Sequence, residues 1–515
     1  MPSPASAPAR SGRALGPVRV GTARRAASTF AEARAFVLRH PLVCSFVLYG
    51  LIAAILRPAT WYTPLFEDPA QNLYVGQAIF DGGAPYVDAA NNKGPLTYLL
   101  FGFLGVLVGT SNVMLKFTVV IATAAAALLV ATYVTRYSGR AVGFVAGLSF
   151  ALFSGAADLL GYEPMTEVYG LVAMTAAWYL ASRGGSRSVA GAGACAAVAI
   201  LMNPAFGIIV PIAALEVWRR GREQNAVVEL FAWALAGGAA VTALVALWLG
   251  LSGAIDDMLT QVIGHVTSNV TPGGAPATSQ SFAPNTSEFY RLVTVPAGGL
   301  WIAAAVGAVL AWRTPELRPL AVPSLLWLVL AFLRVKVVDY ELLHQFFLAM
   351  PGIAVGLAGG IASLWGSTTR TRVALATLVL AAPAIVYVIG PQWRALQLEP
   401  SARFGVGNNY AAAEPVADFV RENTAPEDEI FVGGHAAQVY WLADRRAPTR
   451  FFDIFPVIQD EGYRRERNRE LNENPPQAIV IMADTPPDNN LRGLITRLKY
   501  QLAYEENGAR VFLRF

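Results

Sequence analysis

Apolar runs separated by short polar loops fill most of the chain between residues 41 and 390. Each run approaches the roughly 20 residues that an α-helix needs to cross a bilayer. The pattern predicts a polytopic α-helical membrane protein with about 11 transmembrane helices. The predicted spans lie near residues 41–57, 112–135, 141–156, 167–182, 188–203, 205–218, 228–251, 294–312, 319–334, 342–365 and 373–390.

The two ends of the chain have a different pattern. Residues 1–40 are rich in arginine and poor in acids, which predicts a disordered basic cytoplasmic tail, although an organelle transit peptide has a similar composition. Residues 391–515 are as polar as a soluble domain, and helical and strand-like patterns alternate there, which predicts a small α/β domain. The strand-like stretches are 429–433, 449–452, 478–482 and 500–514, and the helical ones are 412–423, 436–444, 459–473 and 490–498.

Composition and charge agree with this division. Residues of the AVILMFWYC set make up 55% of the chain and charged residues 14%, against roughly 25% charged residues in soluble proteins. A cytoplasmic N-terminus places the arginine-rich loops on the cytoplasmic side, where basic residues are enriched. These arginines are Arg136, Arg140, Arg183, Arg187, Arg219, Arg220, Arg222, Arg313, Arg318, Arg370 and Arg372. The predicted location is therefore the inner (plasma) membrane, with the C-terminal domain periplasmic or extracellular.

Most acidic residues of the membrane part fall on the outer face. Acids contribute little to membrane insertion, so this skew indicates either an outward-facing polar site or solvated loop tips. The net charge is only +4 and no DNA-binding motif occurs, which argues against a nucleic-acid partner. Cys44 and Cys195 both lie in apolar runs, so the sequence predicts neither a disulfide framework nor a cysteine metal site.

The first outer loop, residues 58–111, carries the most informative pattern. An acidic pair, Glu67 and Asp68, opens an amphipathic helical stretch, and Lys93 follows a Gly-Gly turn. The apolar run 96–108 is too short to span comfortably, which predicts a helix at the interface or re-entering the bilayer. A carboxylate at the bilayer surface suits a general base and a lysine suits a phosphate, as in group transfer from a lipid-linked phosphate. A solvated surface loop is the alternative.

A spaced set of residues in this loop consists of Asp68, Asn72, Gly83, Pro85, Tyr86, Asp88, Asn92, Lys93, Gly94, Pro95, Leu96 and Tyr98. In order and spacing the set resembles the first periplasmic loop of the family 39 glycosyltransferases of the GT-C superfamily. That family includes protein O-mannosyltransferases and the aminoarabinose transferase acting on lipid A. The sequence 430–446 resembles the extracytoplasmic C-terminal domain of many bacterial members.

The resemblance implies a GT-C fold and an inverting glycosyltransferase that moves a hexosyl or pentosyl group from a polyprenyl-phosphate donor. It implies that Asp68 is the base that deprotonates the acceptor hydroxyl and that Lys93 contacts the donor phosphate. Many members have Asp-Glu at the acidic pair, whereas here Asp68 precedes a proline. A shift of one residue would make Glu67 the base. The matching positions predicted to bind substrate are Asn72, Tyr86 and Asp88.

The second outer loop, near residues 154–170, contains two further candidates. Glu163 matches an acidic position of the family by its place in the loop, which implies a role in orienting the acceptor or the sugar. Asp158, in the same loop, is predicted to bind substrate. The long outer loop 252–293 is rich in Gly, Pro, Ser and Thr, which predicts a mobile lid over an acceptor groove.

A third outer segment, residues 334–351, carries paired cations. Arg334 and Lys336 are candidates for the donor phosphate, because cations at the outer interface lie at the level of a lipid headgroup. Snorkelling anchors are the alternative. His344 fits the family pattern of a basic residue followed by His-Tyr and is predicted to bind substrate, although Gln345 stands where the tyrosine is expected.

The predicted partners are a polyprenyl-phosphate sugar donor, a lipid, glycan or protein acceptor, and the bilayer itself. No cofactor is predicted to be required. Metal dependence varies across the superfamily, and no set of His and Asp residues in this sequence demands an ion; His435 is predicted to be structural or close to substrate. A secondary transporter and a non-catalytic scaffold remain as alternatives. The transporter predicts charges within spans and internal repeats, whereas here the ionisable residues avoid the centres of the spans and no internal repeat is visible.

Overall fold

The computed structural model describes residue 35 and residues 39–156, 159–266, 296–338, 343–365, 385–397, 408–483, 485–486 and 488–515. Helices dominate this part of the chain, and a small mixed sheet lies near its C-terminal end. Most of the predicted basic tail, residues 267–293 of the predicted lid and much of the last predicted span lie outside the described residues.

Three helices form the beginning of the fold. The helices α1 (Pro41–Ile55) and α3 (Pro95–Val108) both begin at a proline, whose fixed φ and missing N–H suit the first helical position. Between them, α2 (Glu67–Phe80) begins with Glu67 and Asp68, and carboxylates are favoured at the positive end of a helix dipole. The short apolar run 96–108 is therefore helical, as predicted.

The longest helix, α4 (Asn112–Phe153), is interrupted at Gly139. Its first turn is capped by Ser111, whose hydroxyl oxygen accepts a hydrogen bond from the N–H of Met114 at 3.3 Å. Gly139 has a φ of 79°, a value that residues with a side chain rarely adopt. The predicted spans 112–135 and 141–156 are therefore two helical segments, which meet at a kink at this glycine.

The remaining helices of the membrane part follow in a simple succession. They are α5 (Thr166–Arg183), α6 (Ser186–Met202), α7 (Ile209–Gln224), α8 (Val227–Leu251), α9 (Ile255–Met258), α10 (Pro296–Trp312), α11 (Arg318–Val338), α12 (Met350–Trp365) and α13 (Gly390–Leu396). Short 3₁₀ turns at Thr60–Tyr62, Pro204–Ile208, Pro315–Leu317 and Leu343–Ala349 and π turns at Leu259–Ile263 and Ile385–Ile389 connect or extend them.

Among the described residues, four helices are long and apolar enough to cross a membrane. They cover Asn112–Phe153, Val227–Leu251, Pro315–Arg334 and Gln345–Leu364, and shorter apolar helices lie at Pro41–Ile55, Pro95–Val108, Ser186–Met202 and Gly299–Trp312. Along α8 large apolar side chains are exposed, among them Val228 at 84% and Leu235 at 73%. Such a helix suits contact with lipid rather than water, which agrees with a multi-pass membrane protein.

The C-terminal residues form a mixed four-stranded sheet with helices. In chain order the elements are α14 (Asn408–Asn423), β1 (Ile430–Gly433), α15 (Ala437–Ala443), α16 (Ile454–Gln459), α17 (Glu461–Glu473), β2 (Ala478–Ile481), α18 (Asn489–Arg497), β3 (Gln501–Glu506) and β4 (Ala509–Leu513). The strand order is β1-β2-β4-β3, with β1 parallel to β2 and the other pairs antiparallel. The strands predicted at 429–433, 478–482 and 500–514 therefore form this sheet.

The strand predicted at residues 449–452 is wrong. These residues, all of them described, run as an irregular segment outside the sheet. The carbonyl of Arg450 accepts a hydrogen bond from the N–H of Ala90 in the loop after α2, at 2.8 Å. The ring of Phe452 lies 4.3 Å from that of Tyr74 in α2. The apolar pattern that suggests a strand thus reflects packing against α2 and its loop, which sequence periodicity does not distinguish from burial in a sheet.

Candidate active site

The first turn of α2 presents its two carboxylates to different neighbours. Successive residues of an α-helix lie about 100° apart around the axis, so adjacent side chains face different directions. The carboxylate of Asp68 meets Lys93, in the loop between α2 and α3. The carboxylate of Glu67 meets His435, which follows β1 in the C-terminal part. The acidic pair therefore joins two separate groups of charged residues.

Asp68 and Lys93 form an ion pair at a partly open position. The Nζ atom of Lys93 lies 3.1 Å from Oδ2 of Asp68 and donates a hydrogen bond to it. The Asp68 side chain is 42% exposed and the Lys93 side chain 21%. The Asp68 carboxylate is therefore accessible to a ligand. The Lys93 ammonium, paired with a carboxylate, stays charged and can bind an anion. The sequence resemblance put these two residues in one site, and the structure brings them into contact.

Two buried tyrosines hold the backbone of Lys93. The N–H of Lys93 donates a hydrogen bond to the Tyr98 hydroxyl at 2.9 Å, and the Tyr86 hydroxyl donates one to the Lys93 carbonyl at 2.8 Å. The two rings meet edge to face with centroids 5.5 Å apart, and both are fully buried. Tyr86 has a φ of 67°, a strained value for a residue with a side chain, which the surrounding contacts must stabilise. In this structure Tyr86 therefore positions Lys93 through its hydrogen bond to the Lys93 carbonyl.

Other charges act on Lys93. Burial lowers the pKa of its ammonium, but the charges of Asp68 and Glu167 outweigh burial, so the pKa lies above its usual range. The charge of Arg334 acts in the opposite direction on the same pKa. The Nη1 atom of Arg334 donates a hydrogen bond to Oε1 of Gln345 at 2.8 Å, in the 3₁₀ turn before α12. The Lys93 ammonium therefore interacts electrostatically with one other cation, Arg334, and with the carboxylates of Asp68 and Glu167.

The loop around Lys93 has further polar contacts. Asp88 is exposed, and its Oδ2 accepts a hydrogen bond from the N–H of Ala84 at 2.6 Å, so it closes a turn. The Asn92 amide nitrogen lies 3.2 Å from Nε2 of His265. Burial, followed by the charge of Lys93, lowers the pKa of His265 to about 4. His265 is therefore neutral at pH 7 and can accept the hydrogen bond from Asn92.

Asn72 lies one turn after Asp68 on α2 and is fully buried. Its Nδ2 donates a hydrogen bond to Oγ1 of Thr166 at 3.3 Å, which joins α2 to the start of α5. Its Oδ1 has no hydrogen-bond partner among the described residues. A buried amide oxygen without a donor is costly, so this atom is available to a hydroxyl or N–H that reaches it.

Two of the predicted site residues are described only in part, and a third is not described. Lys336 lies in α11 and His344 in the 3₁₀ turn before α12, but their side chains lie outside the described part of the structure. Asp158 lies outside it entirely. Their predicted roles stay predictions.

Glu163 is held in a buried ion pair. Its Oε1 lies 3.1 Å from Nζ of Lys116 in α4, and the two side chains are 0% and 3% exposed. The Lys116 ammonium also donates hydrogen bonds of 2.7 Å to the carbonyls of Thr60 and Thr63. Glu163 and Lys116 thus fix the segment that leads into α2. This contact gives Glu163 a role in positioning the first turn of α2, a role that its resemblance to an acidic family position did not reveal.

A second group of charges surrounds Glu67. Nδ1 of His435 contacts Oε1 of Glu67 and lies 3.1 Å from Oδ2 of Asp453. Nε2 of Gln71 donates a hydrogen bond to the same Oδ2 of Asp453 at 3.1 Å, and Tyr410 donates one to Oε2 of Glu67 at 3.3 Å. We name Glu67, His435 and Asp453 the α2 clamp, because they join the first turn of α2 to the C-terminal part.

The α2 clamp shifts the pKa of two of its members. Burial lowers the pKa of His435, but the Asp453 and Glu67 carboxylates outweigh it and raise the pKa to about 11. Burial raises the pKa of Glu67 to about 6, against the opposing effect of His435. His435 is therefore charged at pH 7 in the absence of another cation. Its Nδ1 and one oxygen from each carboxylate lie within 4.8 Å of one another, so these atoms could hold a metal ion.

Sequence reasoning missed the α2 clamp, although it considered two of its members. The sequence predicts Glu67 as an alternative base and His435 as a structural residue or one close to substrate. The phenylalanine pair before Asp453 has the pattern of a strand, and no motif marks the carboxylate itself. The three residues come from opposite ends of the chain, and no local spacing relates them. The one signal that the sequence offers is a carboxylate directly after two phenylalanines.

Comparison with known proteins finds the fold in solved structures. No protein-family model matches the sequence, and no curated protein matches it. The chain resembles the crystal structure of ArnT from Cupriavidus metallidurans bound to undecaprenyl phosphate, with a TM-score of 0.60 and 14% sequence identity, over 92% of this chain and 98% of that one. The apo structure of the same protein gives a TM-score of 0.53 and 13% identity over 93% of this chain and 98% of that one.

A more distant similarity links the chain to the oligosaccharyltransferase AglB from Archaeoglobus fulgidus, in complex with an inhibitory peptide and a dolichol-phosphate. The TM-score is 0.46 and the identity 13%, over 86% of this chain and 70% of that one, which is too remote to support an argument. The likeness to ArnT covers nearly the whole of both chains. It confirms the GT-C fold that the resemblance of the first outer loop implied.

Proposed function

We propose that the chain is an integral-membrane glycosyltransferase that transfers a sugar from a polyprenyl-phosphate donor to an acceptor hydroxyl on the outer face of the membrane. The observation that carries the proposal is the Asp68–Lys93 pair at the start of α2. It combines a carboxylate with a cation suited to phosphate, in a fold shared with a protein crystallised with undecaprenyl phosphate.

The proposed reaction assigns one task to each member of the pair. Asp68 takes the proton from the acceptor hydroxyl as the acceptor oxygen forms a bond to the anomeric carbon. The bond between that carbon and the phosphate oxygen breaks, and the polyprenyl phosphate leaves with the electron pair. Lys93 stabilises the negative charge of the leaving phosphate. Attack from the face opposite the phosphate inverts the anomeric carbon.

The ion pair couples donor binding to the base. Without a donor, the Lys93 ammonium neutralises the Asp68 carboxylate at 3.1 Å. A donor phosphate that draws Lys93 towards itself removes this partner and makes Asp68 a better proton acceptor, because a nearby cation favours the ionised carboxylate. In this proposal the base is therefore activated when the donor is in place, which limits loss of the sugar to water.

Asp68 suits the role of base better than Glu67. Glu67 has a side chain only 19% exposed and is engaged with His435, whereas Asp68 is 42% exposed. The α2 clamp thus uses one carboxylate of the acidic pair to fix the helix and leaves the other accessible. This difference supports the alignment that matches Asp68, rather than Glu67, to the family base.

The remaining residues of the proposed site have supporting roles. Arg334, whose charge acts on Lys93, and Lys336 on the same helix are assigned to the donor phosphate. Asn72 is assigned to substrate through its unpaired Oδ1. The proposed orientation places the N-terminus in the cytoplasm and residues 391–515 outside the inner membrane. Asp158 and His344 are retained as proposed substrate contacts.

The proposal is tested with membrane vesicles that contain the full chain and a panel of radiolabelled polyprenyl-phosphate sugars. We expect transfer of label to an envelope lipid, glycan or protein with at least one donor, and no transfer from the corresponding nucleotide sugars. Transfer from nucleotide sugars in washed vesicles without polyprenyl phosphate would overturn the assigned donor. Absence of transfer with every polyprenyl-phosphate sugar, in vesicles that hold the folded chain, would overturn the proposal.

A further inference from the structure

We propose that the α2 clamp, formed by Glu67, His435 and Asp453, is a binding site for a Zn²⁺ ion that ties α2 to the C-terminal α/β part. This site goes beyond the proposed sugar transfer and does not depend on it. The ion would take the imidazole nitrogen of His435 and one oxygen from each carboxylate, and water would complete its coordination.

The geometry of the three donor atoms suits one small cation. Nδ1 of His435, a carboxylate oxygen of Glu67 and one of Asp453 lie within 4.8 Å of one another. Ligands about 2.1 Å from a tetrahedral Zn²⁺ lie about 3.4 Å apart, so small side-chain rotations bring all three atoms to one ion. His435 Nδ1 already lies 3.1 Å from the Asp453 oxygen.

Charge balance favours a divalent ion at this place. With a protonated His435, two ionised carboxylates still leave the α2 clamp with an excess negative charge in a largely buried position. A Zn²⁺ ion bound to neutral His435 and two carboxylates makes the cluster neutral.

The type of donor points to zinc. Imidazole nitrogen is a preferred ligand of Zn²⁺, and carboxylate oxygens complete many zinc sites, whereas Mg²⁺ and Ca²⁺ prefer oxygen ligands alone. The described part of the chain offers no thiol at this position, since Cys44 lies in α1 and Cys195 in α6. A site with three protein ligands keeps one coordination position for water.

Neighbouring side chains support the ligands. Tyr410 donates a hydrogen bond to the second oxygen of Glu67, and the Gln71 amide donates one to Asp453. Such outer contacts orient ligating carboxylates in metal sites. The side chains of Glu67 and His435 are 19% and 22% exposed, which leaves a path for an ion, whereas Asp453 is only 3% exposed. The pocket is therefore partly organised before an ion enters.

An ion at the α2 clamp would fix the residue beside Asp68. Glu67 is the first residue of α2, and its attachment to His435 and Asp453 sets the position of this turn relative to the C-terminal part. The ion would act as a structural clamp, and the Asp68–Lys93 pair would remain outside its coordination sphere.

The test uses the purified full chain in detergent, stripped with a chelator and dialysed against Zn²⁺. We expect one Zn²⁺ per chain by elemental analysis for the wild type and for His40→Gln, which removes a histidine at the start of α1. His435→Gln and Asp453→Asn should each weaken Zn²⁺ binding at least tenfold, as loss of a ligand or its support does. Equal affinity of His435→Gln and wild type would overturn the site, as would the absence of bound Zn²⁺ in the wild type.

A second measurement needs no variant and therefore does not depend on its folding. X-ray absorption of the Zn²⁺-loaded wild type should show nitrogen and oxygen ligands near 2.0–2.1 Å with the scattering pattern of a single imidazole. A spectrum with no imidazole, or with two or more, contradicts the assigned ligands. Because the readouts are metal content and absorption, this result is independent of whether sugar transfer is observed.

Discussion

The Lys93 ammonium lies 3.1 Å from the Asp68 carboxylate, and two buried tyrosines fix the backbone of Lys93 on both sides. Protein groups alone therefore hold the pair in place. Its lysine is held by the peptide group and its carboxylate by the first turn of α2, so each side chain keeps some freedom to exchange its partner for a ligand.

Lys93→Gln should weaken binding of undecaprenyl phosphate about 10- to 100-fold, because a hydrogen bond to a charged group contributes about 1.5–3 kcal/mol. Binding of undecaprenol, which has the same chain without the phosphate, should change much less. Titration of both lipids against wild type and variant in detergent measures the difference. Equal weakening for the two lipids would show that Lys93 acts on the lipid chain or on folding and not on phosphate.

Gly76→Ala should disturb the contact between α2 and α3. A Cβ atom at Gly76 would lie 2.3 Å from the backbone nitrogen of Gly102 and 2.7 Å from the Tyr98 carbonyl oxygen. Overpacking of this kind costs about 1–3 kcal/mol, and displacement of a helix by about 1 Å can reduce catalysis about 100-fold. Gly493→Ala in α18 is the control, since no atom lies within 4 Å of its added Cβ. The melting temperature and the rate of sugar transfer should fall for Gly76→Ala only.

Glu163→Gln should destabilise the protein by about 3–5 kcal/mol, because it leaves the buried Lys116 ammonium without its counter-charge. The control is Glu223→Gln, whose ion pair with Arg220 is exposed at the glutamate and should contribute at most about 1 kcal/mol. Thermal unfolding in detergent compares the two variants with the wild type. A melting temperature of Glu163→Gln equal to that of Glu223→Gln would contradict the role of Glu163 in holding the segment before α2.

The α2 clamp should give stability a specific pH dependence when metal is removed by a chelator. The folded state raises the pKa of His435 from 6.5 to about 11, so the folded protein holds one more proton between these values. Its stabilising contribution is complete below pH 6.5 and is lost as the pH rises towards 11. One extra proton bound in the folded state lowers the free energy of unfolding by about 1.4 kcal/mol for each unit that the pH rises.

Between pH 7 and 10, unfolding free energies should therefore fall more steeply for the wild type than for His435→Gln. Glu67, with a pKa of about 6, is ionised throughout this range and adds little to the slope. Parallel slopes for the two proteins would contradict the charged state assigned to His435.

The sequence predicts the parts of this structure that depend on local patterns. Apolar runs locate α1 and α8 within a few residues, and the short run 96–108 is recognised as a helix of its own. The family resemblance of the first outer loop implied the GT-C fold, which the likeness to ArnT confirms. The same resemblance implied that Asp68 and Lys93 belong to one site, and the structure brings the two side chains into contact.

Contacts between distant segments could not be predicted in this way. Asp453 meets Glu67 only because the segment after α15 folds onto α2, and its phenylalanines have the same pattern as a buried strand. Glu163 forms an ion pair with Lys116. This lysine lies inside an apolar helix, and no motif marks it. In both cases the partner is set by tertiary packing, and a single sequence carries no signal for it.

The rate of sugar transfer in Asp68→Asn membranes tests the central claim most directly. The matched control is Asp81→Asn, which changes an exposed aspartate at the other end of α2 that pairs with Arg446. A general base contributes about 10²- to 10⁴-fold, so we expect transfer by Asp68→Asn to fall by that factor while Asp81→Asn stays close to the wild type and Glu67→Gln loses less than Asp68→Asn. Transfer by Asp68→Asn at the wild-type rate, with the chain present and folded, would contradict the account.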